Sequence, residues 1–153
     1  MDGREDKKNN DLFFLCSLIE YLARKTKNRL TLIVEKLGRK NLDKIYELAD
    51  VYHSDNIDDV CDTLVDECHI EGGGFDNISV CLYSVPSHWD MGKVYQRLIL
   101  KISEQENTDV ISALEMLFFS EIVDRIENYN SDLYYQNTDT LYLAYTEGID
   151  AII

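Results

Sequence analysis

The chain has 153 residues, of which 29 are acidic and 15 basic, so its formal net charge is −14. Apolar residues make up 45% of it, with one proline and four scattered cysteines. This composition predicts a soluble globular domain that needs no disulfide or structural metal, and the net charge argues against binding to nucleic acid or to an anionic membrane.

The apolar runs are too short for a membrane span, since none approaches the ~20 residues that cross a bilayer. Residues 1–10 are polar and carry both signs of charge, unlike a signal peptide, and we expect them to be disordered. Four scattered cysteines are typical of a protein in a reducing compartment. These features predict a cytoplasmic protein whose single folded domain spans 11–153.

Helical periodicity dominates the first half of this domain, residues 11–70. The first helix, from Asp11 to about Thr26, is apolar over more than half its circumference, and we expect it to be the most buried element. Shorter helices are predicted over 30–37, 42–53 and 57–68. Gly38 follows the first of these and should end it, because glycine is common just beyond a helix C-terminus.

Three successive glycines predict a Gly-rich loop over residues 71–76. After this loop, Ile78, Val80 and Leu82 alternate with Ser79, Cys81 and Tyr83, which is the period of a β-strand. This pattern indicates one short extended segment near 78–83, either a linker or an edge strand that pairs with another protein. The C-terminal helices are expected within 87–148, as long helices over 88–105 and 108–129 and two short helices after residue 131. We therefore predict an all-α bundle of about six to eight helices.

Two groups of residues resemble metal ligands. The first comprises Cys61, Cys68, His69 and Cys81, but their spacing does not suit a zinc site and the first two fall on the apolar face of a helix. The second joins His53 to the carboxylates of Asp55–Asp66, which suit Mg²⁺ and make a metal-dependent hydrolase the first alternative function. A solvated helix face is the favoured interpretation, and we predict no metal site, no cofactor and no catalytic residue.

A basic segment, Arg24 to Lys40, lies around two predicted short helices and resembles a helix-turn-helix arrangement. Its charge is concentrated at a helix end rather than along a recognition helix, and the rest of the chain would repel phosphate. A helix-turn-helix regulator is therefore the second alternative function.

The candidate partner-binding residues are of two kinds, acidic and aromatic. Aspartates opposite the apolar face of helix 57–68 can dock on a basic protein, and tryptophan and tyrosine are common in binding hot spots. These candidates are Asp58, Asp59, Asp62, Asp66, His88, Trp89, Tyr134 and Tyr135.

Two stretches, roughly 11–67 and 128–148, resemble small uncharacterised bacterial helical families, some of them encoded beside ADP-ribosyltransferase-like toxins. The resemblance lies in the apolar first helix, the turn at Leu37-Gly38, and the segments IYELADVYHSDNIDDV and YNSDLYYQNTDTLYLAYTEG. It contains no catalytic signature, and it implies an antitoxin-like or accessory protein that works by binding.

These observations favour a non-enzymatic, acidic protein–protein interaction module whose partner is a basic protein. Homo-oligomers are compatible with the sequence, and the partner's identity and the biological process are left open.

Overall fold

The computed structural model describes residues 3–153, with their side chains from residue 7 onward. Its α-helices are α1 (Gly3–Thr26), α2 (Leu30–Glu47), α3 (Ala49–Ser54), α4 (Ile57–Glu67), α5 (His88–Glu106), α6 (Val110–Phe118), α7 (Glu121–Ile126) and α8 (Thr138–Glu147). Short 3₁₀ helices cover Leu133–Tyr135 and Ile149–Ile152. The predicted all-α class is confirmed, and residues 3–153 contain no strand. None of the helices in this range is both long and apolar enough to cross a membrane.

The centre of the core is the contact between α1 and α5. Every residue of α1 from 14 to 20 is buried, because this helix is covered by α2, α3, α4 and α5. Gly92 of α5 allows the two helices to approach closely, since a Cβ atom there would lie 2.0 Å from the Ser17 Oγ atom of α1. Helices α6 and α8 also pack on α5, and α7 contacts both of them.

Local capping fixes where the two helices that carry most candidate residues begin. The Asn56 side chain accepts hydrogen bonds from the backbone N–H groups of Asp58 and Asp59, which starts α4. Ser87 and Asp90 form a reciprocal capping box at the start of α5. Both caps are encoded within four residues of sequence.

The N-terminal segment differs from the prediction of disorder over 1–10. Residues 3–10 form the first turns of α1, and residues 1 and 2 lie outside the described range. Two contacts explain the helix: the Lys7 Nζ atom lies 3.0 Å from Asp11 Oδ2, one turn away, and the Gln96 side chain of α5 donates a hydrogen bond of 2.7 Å to the Asn9 carbonyl.

Three further boundaries differ from the sequence prediction. Gly38 ends the first helical segment of α2 as predicted, with φ +71°, but the single helix predicted over 42–53 is interrupted at Leu48, which separates α2 from α3. The single helix expected over 108–129 is two helices, because Ser120 is extended and separates α6 from α7. Residues 78–83 form turns rather than an extended strand.

Candidate partner-binding surface

The acidic face of α4 divides into two rows of different character. Asp58 and Asp62 point towards α1, where the Lys25 Nζ atom lies 3.0 Å from Asp58 Oδ1 and 3.4 Å from Asp62 Oδ1. The Tyr21 hydroxyl donates a 2.6 Å hydrogen bond to Asp58, and this bond, followed by that from Lys25, lowers the pKa of Asp58. These two aspartates hold α4 against α1.

The other two candidate aspartates, Asp59 and Asp66, face solvent. Among the side chains described, residues 7–153, neither carboxylate has an ion-pair or hydrogen-bond partner. Asp59 lines an open cleft of about 420 Å³, which Lys44 and Tyr52 also border. These are the carboxylates of the α4 face that are most available to a partner.

An aromatic cleft lies between α1, α3 and the first turn of α5. Its rings are those of Phe13, Phe14, His53 and Trp89, with ring centroids 5.6 Å apart for Phe13 and Trp89 and 5.1 Å apart for Phe14 and His53. The cleft has a volume of about 490 Å³. Both phenylalanines belong to the first helix, which was expected to be the most buried element, but Phe13 is only half-buried.

Tyr21 connects the aromatic cleft to the acidic face of α4. Its hydroxyl contacts Asp58, and its ring centroid lies 4.8 Å from that of His88. The His88 ring in turn lies 4.6 Å from Trp89. Burial, and then the charge of Arg24, lower the pKa of His88, which favours its neutral form. Asp58 and the adjacent pair His88 and Trp89, which are 30 positions apart in sequence, therefore share one surface.

Tyr134 and Tyr135 lie on the other side of the first turns of α5. Their rings stack with centroids 4.3 Å apart, and Tyr135 is 73% exposed whereas Tyr134 is buried. With Val85 and Val94 they border a third cleft, of about 330 Å³.

Residues 80–85, called the apolar loop below, carry large side chains into solvent next to Tyr135. The exposed side chains are Val80 at 61%, Leu82 at 79%, Tyr83 at 65% and Val85 at 38%. The Asn130 side chain fixes this loop, because it donates to the Val80 carbonyl at 3.0 Å and accepts from the Leu82 N–H at 2.7 Å. The alternating apolar pattern had marked this segment, but only the structure shows that it is exposed and held in place.

A buried polar cluster anchors the far end of this loop. The Arg24 side chain donates to the Pro86 carbonyl at 2.7 Å and forms an ion pair with Glu20 at 2.8 Å. The Tyr129 hydroxyl donates to the same Glu20 oxygen at 2.6 Å. Pro86 and the start of α5 are thus tied to the core.

The residues considered as metal ligands do not come together. His53 packs between the rings of Phe14 and Trp89 instead of joining the aspartates of α4. All four cysteines are free, and burial raises the pKa of the Cys61 thiol to about 12. In the part of the chain that the structure describes, no three His, Cys, Asp or Glu side chains are grouped so as to hold a metal ion.

The basic segment is largely neutralised by carboxylates, some one helical turn away and some from distant parts of the chain. Five of its cations lie within 4 Å of an acidic side chain: Arg24, Lys25, Lys27, Arg29 and Arg39. The Arg39 guanidinium alone contacts Asp43, Asp109 and Glu115. The Glu20–Arg24 and Arg39–Asp43 pairs are spaced one helical turn apart in the sequence, whereas the contacts with Asp109 and Glu115 could not be read from it.

Comparison of the chain with protein-family models, with curated proteins and with solved structures gave no match. The resemblance to toxin-associated helical families therefore stays a prediction.

Proposed function

We propose that this chain is a non-enzymatic protein–protein interaction module that binds and neutralises a basic partner protein in the cytoplasm, in the manner of an antitoxin or accessory protein. The observation that carries the proposal is the exposed apolar loop beside Tyr135, on a part of the chain that bears acidic but no basic side chains. The acidic face of α4 and the aromatic cleft lie on the other side of the first turns of α5 and supply further acidic and aromatic contacts.

The charge of the surface favours a basic partner. Neither residues 45–92 nor residues 126–153 contain a lysine or arginine, whereas they contain eleven and five acidic residues. These two stretches supply α3, α4, the apolar loop and Tyr135. Lys7, Lys25 and Lys44 from outside these stretches border the surface, but its carboxylates outnumber them, and a mainly acidic field attracts a basic protein and accelerates its association.

The exposed apolar side chains favour a protein partner. Contiguous apolar patches with polar surroundings mark interaction sites, and tyrosine and tryptophan are prominent among binding hot spots. The Asn130 hydrogen bonds fix the apolar loop before binding, which lowers the entropy cost of association.

The ion pairs of the basic segment support protein binding over binding to nucleic acid. A helix-turn-helix protein needs cations that reach phosphate groups. Here Arg24 is tied to Glu20 and Pro86, and Arg39 to three carboxylates, so these side chains are already engaged within the fold.

A pull-down from the native cells tests the proposal with three tagged baits: the wild-type chain, the double variant L82S/Y135S, and the control M116S/L143S. The control removes apolar side chains that are also exposed, 39% and 40%, but lie on α6 and α8. We expect a stoichiometric protein on the wild type and the control that is lost from L82S/Y135S. Equal capture by all three baits, or capture of no protein by the wild type, would contradict the proposal.

A further inference from the structure

The aromatic cleft contains two carboxylates as well as four rings. Asp11 and Asp50 line it together with Phe13, His53 and Trp89. Asp11 is only 3% exposed, whereas the side chain of Asp50 is 75% exposed. Aromatic faces and carboxylates both attract cations, so the lining has the chemistry of a cation-binding pocket.

A cation already lies between these carboxylates. The Lys7 Nζ atom is 3.0 Å from Asp11 Oδ2 and 3.2 Å from Asp50 Oδ2. These hydrogen bonds raise the pKa of Lys7, with the bond to Asp11 the larger contribution. The two carboxylates therefore converge on one ammonium group.

We propose that the aromatic cleft is the subsite that receives an arginine side chain of the basic partner, and that Lys7 occupies its carboxylates in the free protein. This inference rests on the proposed function. The partner's arginine takes the place of Lys7 at Asp50 and lays its guanidinium plane on the ring of Trp89, since the Lys93 ammonium group already lies 5.7 Å from the centroid of the Phe13 ring.

The shape and chemistry of the cleft favour arginine over lysine. A guanidinium group is planar, stacks on aromatic faces and donates two parallel hydrogen bonds to one carboxylate, whereas an ammonium group is a compact, strongly hydrated charge. Asp50 is exposed enough to turn towards such a group, and the Trp89 ring, which is 37% exposed, supplies a flat surface in the same cleft.

Lys7 is suited to be displaced. It lies in the first turns of α1, where a helix frays most readily, and half of its side chain is exposed. Lys7 pairs with the exposed carboxylate of Asp50, and ion pairs of this kind contribute little because solvent screens them. Removal of Lys7 should therefore strengthen arginine binding by about two- to fivefold.

The single tryptophan makes a direct test possible. Trp89 is the only tryptophan of the chain, so its indole N–H gives one NMR signal that reports on the cleft. The full chain is titrated at low ionic strength with the peptide acetyl-Gly-Arg-Gly-amide and with its citrulline analogue, which has the same shape but no charge.

We expect a saturable shift of the Trp89 signal with the arginine peptide and none with the citrulline peptide. D50N should weaken arginine binding about tenfold, since it removes a charge-assisted hydrogen bond. D150N, an exposed aspartate outside the cleft, is the matched control and should bind like the wild type. K7Q should bind two- to fivefold more tightly.

Equal shifts with both peptides, no shift with either, or unchanged affinity in D50N would overturn the inference. Because K7Q leaves Asp11 buried without its cation, thermal unfolding of that variant is measured alongside, and D50N supports or refutes the inference independently. The peptide titration needs no partner protein, so its failure is distinguishable from failure of the proposed function, which the L82S/Y135S pull-down tests.

Discussion

Replacing Glu127 by glutamine is expected to stabilise the protein above neutral pH. The Glu127 side chain is 2% exposed, and its Oε2 atom accepts a 3.1 Å hydrogen bond from the Leu30 N–H at the start of α2. Its Oε1 atom has no partner among the described residues. Burial is the main cause that raises the pKa of this carboxyl from 4.5 to about 7.

The sign of the effect follows from proton linkage. Between pH 4.5 and 7 the folded state binds more protons than the unfolded state, so the free energy of unfolding falls as the pH rises through this window. At about 1.4 kcal/mol per pKa unit, the ionised Glu127 costs about 3 kcal/mol at pH 8. E127Q, which stays neutral and can still accept from Leu30, should recover much of this free energy.

Denaturant unfolding of the wild type and E127Q over pH 5 to pH 8.5 measures the effect. The stability difference should be small at pH 5 and grow towards about 3 kcal/mol at pH 8. E121Q, an exposed glutamate of α7, is the matched control and should follow the wild type at every pH. If E127Q were less stable than the wild type at pH 8, attraction of the carboxylate to the N-terminus of α2 would outweigh its burial, and the reasoning would be wrong.

Two further substitutions test the packing. G73A should lower the free energy of unfolding by about 1–3 kcal/mol, because its Cβ atom would lie 2.5 Å from the Lys27 carbonyl oxygen. G74A is the matched control: a Cβ atom there would have nothing within 4 Å, so the change should be less than about 0.5 kcal/mol. Equal effects of the two variants in denaturant unfolding would refute this. Y95F should stabilise the protein by about 1 kcal/mol, because it removes a fully buried hydroxyl that has no hydrogen-bond partner in the described part of the chain. A melting temperature below that of the wild type would contradict this.

The fold class followed from the sequence because its signals are local. The caps at Asn56 and Ser87 lie within four residues of the helices they start, and the apolar period of α4 and α5 is long enough to be unambiguous. The break at Ser120 was not predictable in this way, since the apolar spacing continues across it. Likewise, the helix over residues 3–10 depends on contacts with Asp11 and with Gln96 of α5.

The composition of the candidate surface was predictable, but its arrangement was not. Periodicity placed four aspartates on the outer face of α4, yet which of them meet Lys25 depends on a contact between residues 33 positions apart. Trp89 stood out as the only tryptophan, whereas Phe13 looked like a core residue because its role depends on the position of α5. The alternating apolar pattern at 78–83 is visible in the sequence. The position of this segment depends on hydrogen bonds to Asn130, about 50 residues later, which the pattern does not reveal.

The central claim, that an acidic surface on this chain binds a basic partner, is tested most directly by the association rate constant of the captured partner at low and high salt. The variant D59K/D66K reverses the two solvent-facing aspartates of α4, and E104K/E121K makes the same change in net charge on α5 and α7. If the acidic surface attracts the partner electrostatically, the association rate constant of the wild type falls steeply as the salt concentration rises. At low salt, the rate constant of D59K/D66K should be at least about tenfold lower than that of the wild type, and that of E104K/E121K should change much less. Equal rates for the two variants, or a wild-type rate independent of salt, would contradict the account.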